Sequence, residues 1–204
     1  MSGITDAIKS RTSANNFDTT HVMSDAEIHE LVALTNETPT SFNMQNYRVI
    51  AVKSPEKKAA LKAAAYNQPK VSEAAVTFAI IGKMKGNEAL PALIKPMLDA
   101  GALDQAAFDG WIGMCNGMYA GNQAFQRDEA IRSGSLAAMT LMYAAHDMGL
   151  VSGAMIGFDP AAVAKELHLS EDDIPVMLIA VGKAAEGNWP RKVRRAVADV
   201  VSVI

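Results

Sequence analysis

The chain has a single cysteine, Cys115, in 204 residues. That excludes an intramolecular disulfide and fits a reducing compartment, so a cytoplasmic location is the expectation. No uninterrupted apolar run reaches the ~18 residues needed to span a bilayer. Met1 to Arg11 lacks the charged start and long apolar core of a signal peptide, so no membrane association is expected. Excess positive charge is also missing. The formal net charge is −3, which argues against a general nucleic-acid binder. No Gly-x-Gly-x-x-Gly follows a strand, so a nicotinamide Rossmann site is unsupported. No Gly-x-Ser-x-Gly elbow is present for a nucleophilic serine. His21, His29, His146 and His168 show no metal-ligand spacing and read as surface or packing residues. Cys115 lies among apolar neighbours, which suits a buried, inert thiol better than a nucleophile.

What is present describes a globular domain. Half of the residues are hydrophobic and 20% are charged, enough for a real core in one domain spanning 1–204. Ile4 to Ser10 reads as a short helix. Ser24 with Glu27 forms a capping box ahead of a helix that ends near Asn36. Tyr47 to Lys53 is a largely buried strand. Ser54-Pro55 opens a helix to about Tyr66. Ala74 to Ile81 is apolar on both faces and reads as a central strand covered on both sides. Lys85 to Phe125 breaks the pattern, with two helices at roughly Glu88–Ala100 and Asp104–Tyr119. Such an excursion between core elements is expected to cover a pocket. Asp128 to Met148 is the longest clean helix, with small residues at helical spacing and Gly149 as its stop. Asp159-Pro160 opens another helix, and Pro175 to Val181 is a third strand. Three strands among more numerous helices, without strict alternation, predict an α+β fold with a central mixed sheet flanked by helices. The tail, Arg191 to Ile204, turns from basic to apolar and needs a surface to bury it.

The most informative stretch is Pro39-Thr40-Ser41-Phe42-Asn43-Met44-Gln45-Asn46-Tyr47, a polar loop joined directly to an apolar strand. Its hydroxyls and amides offer neutral hydrogen bonds suited to a polar heteroaromatic ligand, and Pro39 sets the direction of entry. Arg11-Thr12-Ser13 lies upstream, Asn67-x-x-Lys70 in the middle, and Lys192-x-Arg194-Arg195 near the end. Apart, each cation is an ordinary solvated charge. Brought together they make a phosphate site, because guanidinium groups fork onto phosphate oxygens and lysine adds point charge.

These pieces, with Gly149-Leu150-Val151-Ser152, Met155-Ile156-Gly157-Phe158-Asp159 and Asp199-Val200-Val201, come in an order that resembles the nitroreductase family over essentially the whole chain. The resemblance implies an intertwined homodimer with FMN at each of two interfaces and NADH or NADPH as electron donor. It places Arg11, Lys192 and Arg194 on the FMN phosphate, with Thr12 alongside and Ser13 near the ribityl chain. Pro39, Thr40, Ser41 and Asn43 reach the flavin from the other subunit. Asn67 and Lys70 face the pyrimidine edge, and Ile156 and Gly157 offer backbone N–H groups to the N5–O4 edge. The small-residue helix is the implied dimer contact, and the apolar tail wraps the partner.

Asn15 stands where relatives often carry a basic residue at the ring, which leaves Lys70 as the main cation there. Arg194 and Arg195 are adjacent, and the sequence does not choose between them for the phosphate. The mechanism implied is ping-pong: NAD(P)H reduces the flavin at N5, then a small-molecule acceptor such as a nitroaromatic or quinone takes the electrons. No side chain is required as acid, base or nucleophile. Phe108, Trp111 and Tyr119 are the candidates to line the substrate channel and stack on an aromatic acceptor. A flavin dehydrogenase or dehalogenase acting on a specific metabolite, and a non-catalytic flavin-binding sensor or store, remain open at this point.

Overall fold

The computed structural model describes residues 3–204. Four strands form one sheet in the order β1 (Tyr47–Val52), β2 (Val76–Lys83), β4 (Asp173–Gly182), β3 (Val151–Met155). Every neighbouring pair is antiparallel. The fold is therefore α+β as expected, but the sheet is antiparallel rather than mixed. The strand missing from the expectation is β3. Its Val-Ser-Gly-Ala-Met sequence carries too little apolar or β-branched signal to declare itself, and it exists because β4 offers it an edge. The expectation of a largely buried β1 also fails. It is the outer strand beside β2, and of its six residues three are half-buried and two exposed. β2 is the covered central strand that its doubly apolar sequence predicts, with seven of eight residues buried.

Alternation along β2 divides the core. Phe78 and Ile80 pack with Ile28 and Leu31 of α2 (Asp25–Thr35) and with Ala138, Leu141 and Ala145 of α7 (Gln123–Asp147). Ala79 and Ile81 face the opposite way, onto Leu61 of α3 (Pro55–Ala64), Val71 of α4 (Lys70–Glu73) and Val163 of α8 (Pro160–Glu166). The capping box is present: the Ser24 hydroxyl accepts from the Glu27 N–H, and the Glu27 carboxylate accepts from the Ser24 N–H. Asp159 caps α8 with Pro160 at its first position. The remaining helices are α1 (Ile4–Ser10), α5 (Gly86–Asp99) and α6 (Gln105–Tyr119). Together α5 and α6 make a hairpin whose apolar face meets Met44, Phe42 and Phe125 in a third cluster.

The small residues of α7 serve this chain's own sheet. A Cβ on Gly134 would come 2.9 Å from Val176, and one on Gly82 of β2 would come 2.6 Å from the Ala130 carbonyl oxygen. Small side chains here let the helix backbone approach the strands. No helix among the described residues is long and apolar enough to cross a membrane.

Gly82→Ala should push α7 off the sheet, since the obstacle is backbone and cannot rotate away. A loss of roughly 1–3 kcal/mol is expected, the usual scale for overpacking. Urea unfolding followed by circular dichroism measures it, and an unchanged midpoint would show that α7 yields freely.

Candidate functional site

The site begins where α1 stops. After Arg11 the chain runs extended, and this strip joins the sheet beside β3 through a parallel bridge of Ser13 with Ser152. The Ala14 N–H donates to the Ser152 carbonyl at 2.9 Å. Gly153 makes the approach possible, because a Cβ there would sit 2.2 Å from the Ala14 carbonyl oxygen. On its other side the strip is met by the segment after β4. Arg11, Thr12, Ser13, Lys192 and Arg194 then line one slot of about 70 Å³ with Trp189, Pro190 and Arg191. Water in the liquid takes roughly 30 Å³ per molecule, so the slot holds one compact group.

Its electrostatics are one-sided. Among the described residues, Arg11, Lys70, Arg191, Lys192 and Arg194 form no ion pair with an acidic group. The Arg11 Nη1 is buried and has no hydrogen-bond partner. Burial lowers the Arg11 pKa below its usual value; Tyr143 opposes this, and the Arg191 and Arg194 charges add to it. A guanidinium with a buried, unpartnered nitrogen, on a residue that lines the slot with two more cations, suits an anion with several acceptor oxygens.

Next to the slot stands Lys70, the first residue of the short helix α4, an element the sequence does not announce. Its Nζ lies 3.2 Å from Asn15 Oδ1, and its stem runs beside Gly153. Burial lowers its pKa, with Lys192 contributing in the same direction. So Asn15 receives a hydrogen bond from Lys70. Gln68 Nε2 donates to the Gly157 carbonyl at 2.6 Å, tying the turn after β3 to the segment before α4. Ile156 is 76% exposed. Asn67 is exposed in the left-handed region at φ +58°, its N–H donating to Lys62.

Within one chain the Pro39–Asn43 loop is not part of this cluster. Thr77, at the start of β2, donates to the Val71 carbonyl beside Lys70, while Lys83, at its end, donates to the Asn46 carbonyl after the loop. Six residues of strand separate these ends, about 20 Å at ~3.3 Å each. The loop is tightly built: Thr40 Oγ1 accepts from the Gln45 N–H at 2.9 Å, and Phe42, Asn43 and Gln45 all hold positive φ. Non-glycine residues rarely do so, at a cost of order 1–3 kcal/mol each. Phe42 is braced edge-on against Tyr119 at 6.4 Å.

The aromatic expectations are corrected in part. Tyr119 is fully buried between Phe42 and Phe125 and faces no channel. Phe108 and Trp111 are half-buried and pack on the same cluster, at the loop's end of the molecule. Cys115 is buried as expected, and among the described residues no group of three or more acidic, histidine or cysteine side chains could hold a metal ion. Of the adjacent pair, Arg194 lines the slot and Arg195 does not. A larger cavity of about 680 Å³ lies between Met44–Arg48 and Lys83–Ala89. Its cations are already paired, Lys85 with Asp172 at 2.8 Å and Lys83 with Asp173 at 2.6 Å, so it lacks the unmet charge of the slot.

Sequence reasoning missed four contributors. Gln68, Gly153 and Asn188 carry no motif of their own, and Arg191 was hidden in a basic run whose other members drew attention. Their roles depend on backbone atoms brought from elsewhere in the chain.

Residues 8–183 match the sequence profile of the Nitroreductase family. YodC of Bacillus subtilis strain 168, named as an NAD(P)H nitroreductase, is 35% identical over 186 residues, covering 91% of this chain and 92% of its own. The crystal structure of Bacillus subtilis YdfN, described as a nitroreductase, superimposes with a TM-score of 0.95 at 30% identity, covering 98% of each chain. A protein of Exiguobacterium sibiricum 255-15, described as a nitroreductase and solved in complex with FMN, gives 0.91 at 26% identity, covering 100% of this chain and 98% of that one. With the slot, the antiparallel sheet and these matches in agreement, the chain belongs to the nitroreductase family of oxidoreductases.

Proposed function

We propose that the chain is an FMN-dependent NAD(P)H oxidoreductase working as a homodimer, with the slot at Arg11 as the phosphate end of the cofactor site. The observation that carries this is Arg11, whose buried Nη1 has no partner, lining one slot with Lys192 and Arg194. The related FMN complex supports it. FMN supplies the redox centre that takes electrons from NADH or NADPH and passes them to an acceptor such as a nitroaromatic or quinone.

The chain's own residues bind, orient and tune. Arg11, Lys192 and Arg194 neutralise the phosphate, with Thr12 and Ser13 hydroxyls beside them. A single compact slot favours FMN over a flavin carrying a second phosphate and an adenosine. Lys70, oriented by Asn15, lays positive charge along the ring edge, where charge on the reduced cofactor is negative, and so favours reduction. Asn67 offers an amide to the same edge. Gln68 holds the Ile156-Gly157 turn in place.

The second copy is argued from distance. Pro39, Thr40, Ser41 and Asn43 sit about 20 Å along the sheet from Lys70 of their own chain, so they complete a site only on a partner. The α5–α6 hairpin travels with them and covers the partner's site, with Phe108 and Trp111 nearest to the acceptor. The tail supports the same arrangement. Val193, Val197, Val203 and Ile204 are 95%, 75%, 92% and 119% exposed in the single chain, apolar surface that a partner would bury.

Heat release and chromatography of the bound chromophore should yield FMN; FAD as the main species would overturn the single-phosphate reading. Arg11→Ala should weaken FMN binding by about 2–3 kcal/mol, the scale of a lost charge-assisted contact. An unchanged dissociation constant on titrating apoprotein with FMN would remove Arg11 from the site.

Lys70→Met should lower the FMN midpoint potential by some tens of millivolts in a spectroelectrochemical titration. A net loss of ~1–2 kcal/mol after solvation is the basis, at about 1.4 kcal/mol per 30 mV for two electrons. Equal midpoints for variant and wild type would make Lys70 a bystander. Truncation after Asp199 should reduce dimer stability and flavin retention together, read by sedimentation and flavin absorbance. A wild-type monomer at micromolar concentration that keeps its FMN would defeat the two-copy site.

A further inference from the structure

Two side chains at the slot do something other than meet an anion. Arg191 Nη1 donates to the carbonyls of Ile8 at 3.1 Å, Lys9 at 2.8 Å and Arg11 at 3.2 Å. These carbonyls end α1, where the helix leaves its acceptors unsatisfied and its dipole is negative. On the other side of Trp189-Pro190, Asn188 works as a double clamp. Its Oδ1 accepts from the N–H groups of Asn15 at 2.7 Å and Asn16 at 3.0 Å, and its Nδ2 donates to the carbonyls of Asn16 at 2.8 Å and Ala185 at 3.0 Å.

The chain after β4 first meets the strip through the Phe17–Ala184 bridge and the Ala185 N–H, which donates to the Asn16 carbonyl at 3.2 Å, but these contacts lie upstream of the segment that carries Lys192 and Arg194. Among the described residues, its hydrogen bonds to the strip are those of Arg191, while Arg194 Nη1 bonds within the segment, to Lys192 and Val193. The segment is exposed throughout, has no ion pair to hold it, and faces Arg11 with like charge. Left to electrostatics, it would drift away from Arg11.

We propose that Asn188 and Arg191 are positioning residues: they bolt the Lys192–Arg194 segment to the Arg11–Asn16 strip, and thereby set the preference for a phosphorylated over an unphosphorylated flavin. The inference rests on the phosphate reading of the slot. Arg191, despite its charge and its place in the lining, acts through the α1 carbonyls. Asn188, which has no charge, matters to phosphate recognition as much as a cation does.

The test titrates apoprotein with FMN and with riboflavin, for wild type, Asn188→Ala, Arg191→Met and Arg191→Lys. Asn188→Ala leaves the slot's charge unchanged, and riboflavin binding reports that each variant is folded. Asn188→Ala and Arg191→Met should each lower the FMN-over-riboflavin affinity ratio by about tenfold, the usual scale for losing hydrogen bonds that fix a charged site. Arg191→Lys, which keeps charge and donors, should recover most of it. Amide exchange at Asn15 and Asn16 should quicken in Asn188→Ala. A wild-type ratio in Asn188→Ala would overturn the proposal and leave the phosphate site standing. If wild type itself binds FMN no tighter than riboflavin, the phosphate reading fails and takes the proposal with it. If Asn188→Ala no longer binds riboflavin, Arg191→Met measured against Arg191→Lys decides by the same ratio.

Discussion

The close approach of Ala14 to Gly153 is the contact on which the site depends. A carbonyl oxygen occupies the space where any other residue would place its Cβ, and the neighbouring N–H is tied to Ser152. That contact adds the strip after α1 to the sheet beside β3. Once the strip is there, Arg11 is fixed against the chain's returning end, Asn15 is fixed beside Lys70, and Phe17 is pinned to Ala184 by a further bridge. Residues separated by most of the chain become neighbours because one glycine lets two backbones touch.

The same docking creates an electrostatic imbalance that the fold does not correct. Elsewhere the protein pairs its charges: Lys53 with Asp25, Lys57 with Glu166, Lys85 with Asp172. Around the slot it does not. Two unit charges at about 4 Å interact by roughly 4 kcal/mol at an effective dielectric of 20, so such a cluster is tolerated only with solvent, with bracing hydrogen bonds, or with an anion present. Solvent reaches Lys192 and Arg194, bracing comes from Arg191 and Asn188, and Arg11 Nη1 stays buried without a partner. A structural ion-pair network would have no such remainder, which is why the slot reads as a binding site and not as scaffolding.

The Pro39–Gln45 loop, the other half of the proposed site, is stiffened in a different way. Three left-handed non-glycine residues in the Phe42–Gln45 turn store conformational cost, and the Phe42–Tyr119–Phe125 stack with Met44 repays it by packing. Tyr119 therefore belongs to the support of the loop. A cation half and a polar-loop half, each rigid and set at opposite ends of β2, form a complementary pair of surfaces on one chain. In the homodimer proposed above, two copies related by a two-fold axis would satisfy both at once.

Much was legible beforehand. The capped helices, the doubly apolar β2 and the α+β class follow from local signals: cap residues, side-chain period and apolar runs are properties of neighbouring residues. The order Arg11-Thr12-Ser13, Pro39–Gln45, Asn67–Lys70, Lys192–Arg194 was enough to indicate the family, because motif order survives without knowledge of distances. What the sequence could not hold was partnership across the chain. It did not show β3, a strand only by virtue of β4's edge, nor the antiparallel sense of the sheet, nor that Tyr119 faces inward. It did not decide between Arg194 and Arg195, which differ by one residue in sequence and by the presence or absence of a slot in space. Nor did it single out Gly153, Gln68, Asn188 or Arg191, whose importance comes from backbone atoms up to 183 positions away. Local chemistry determined the elements and the kind of group they would bind; the long-range docking of backbone on backbone decided which residues meet.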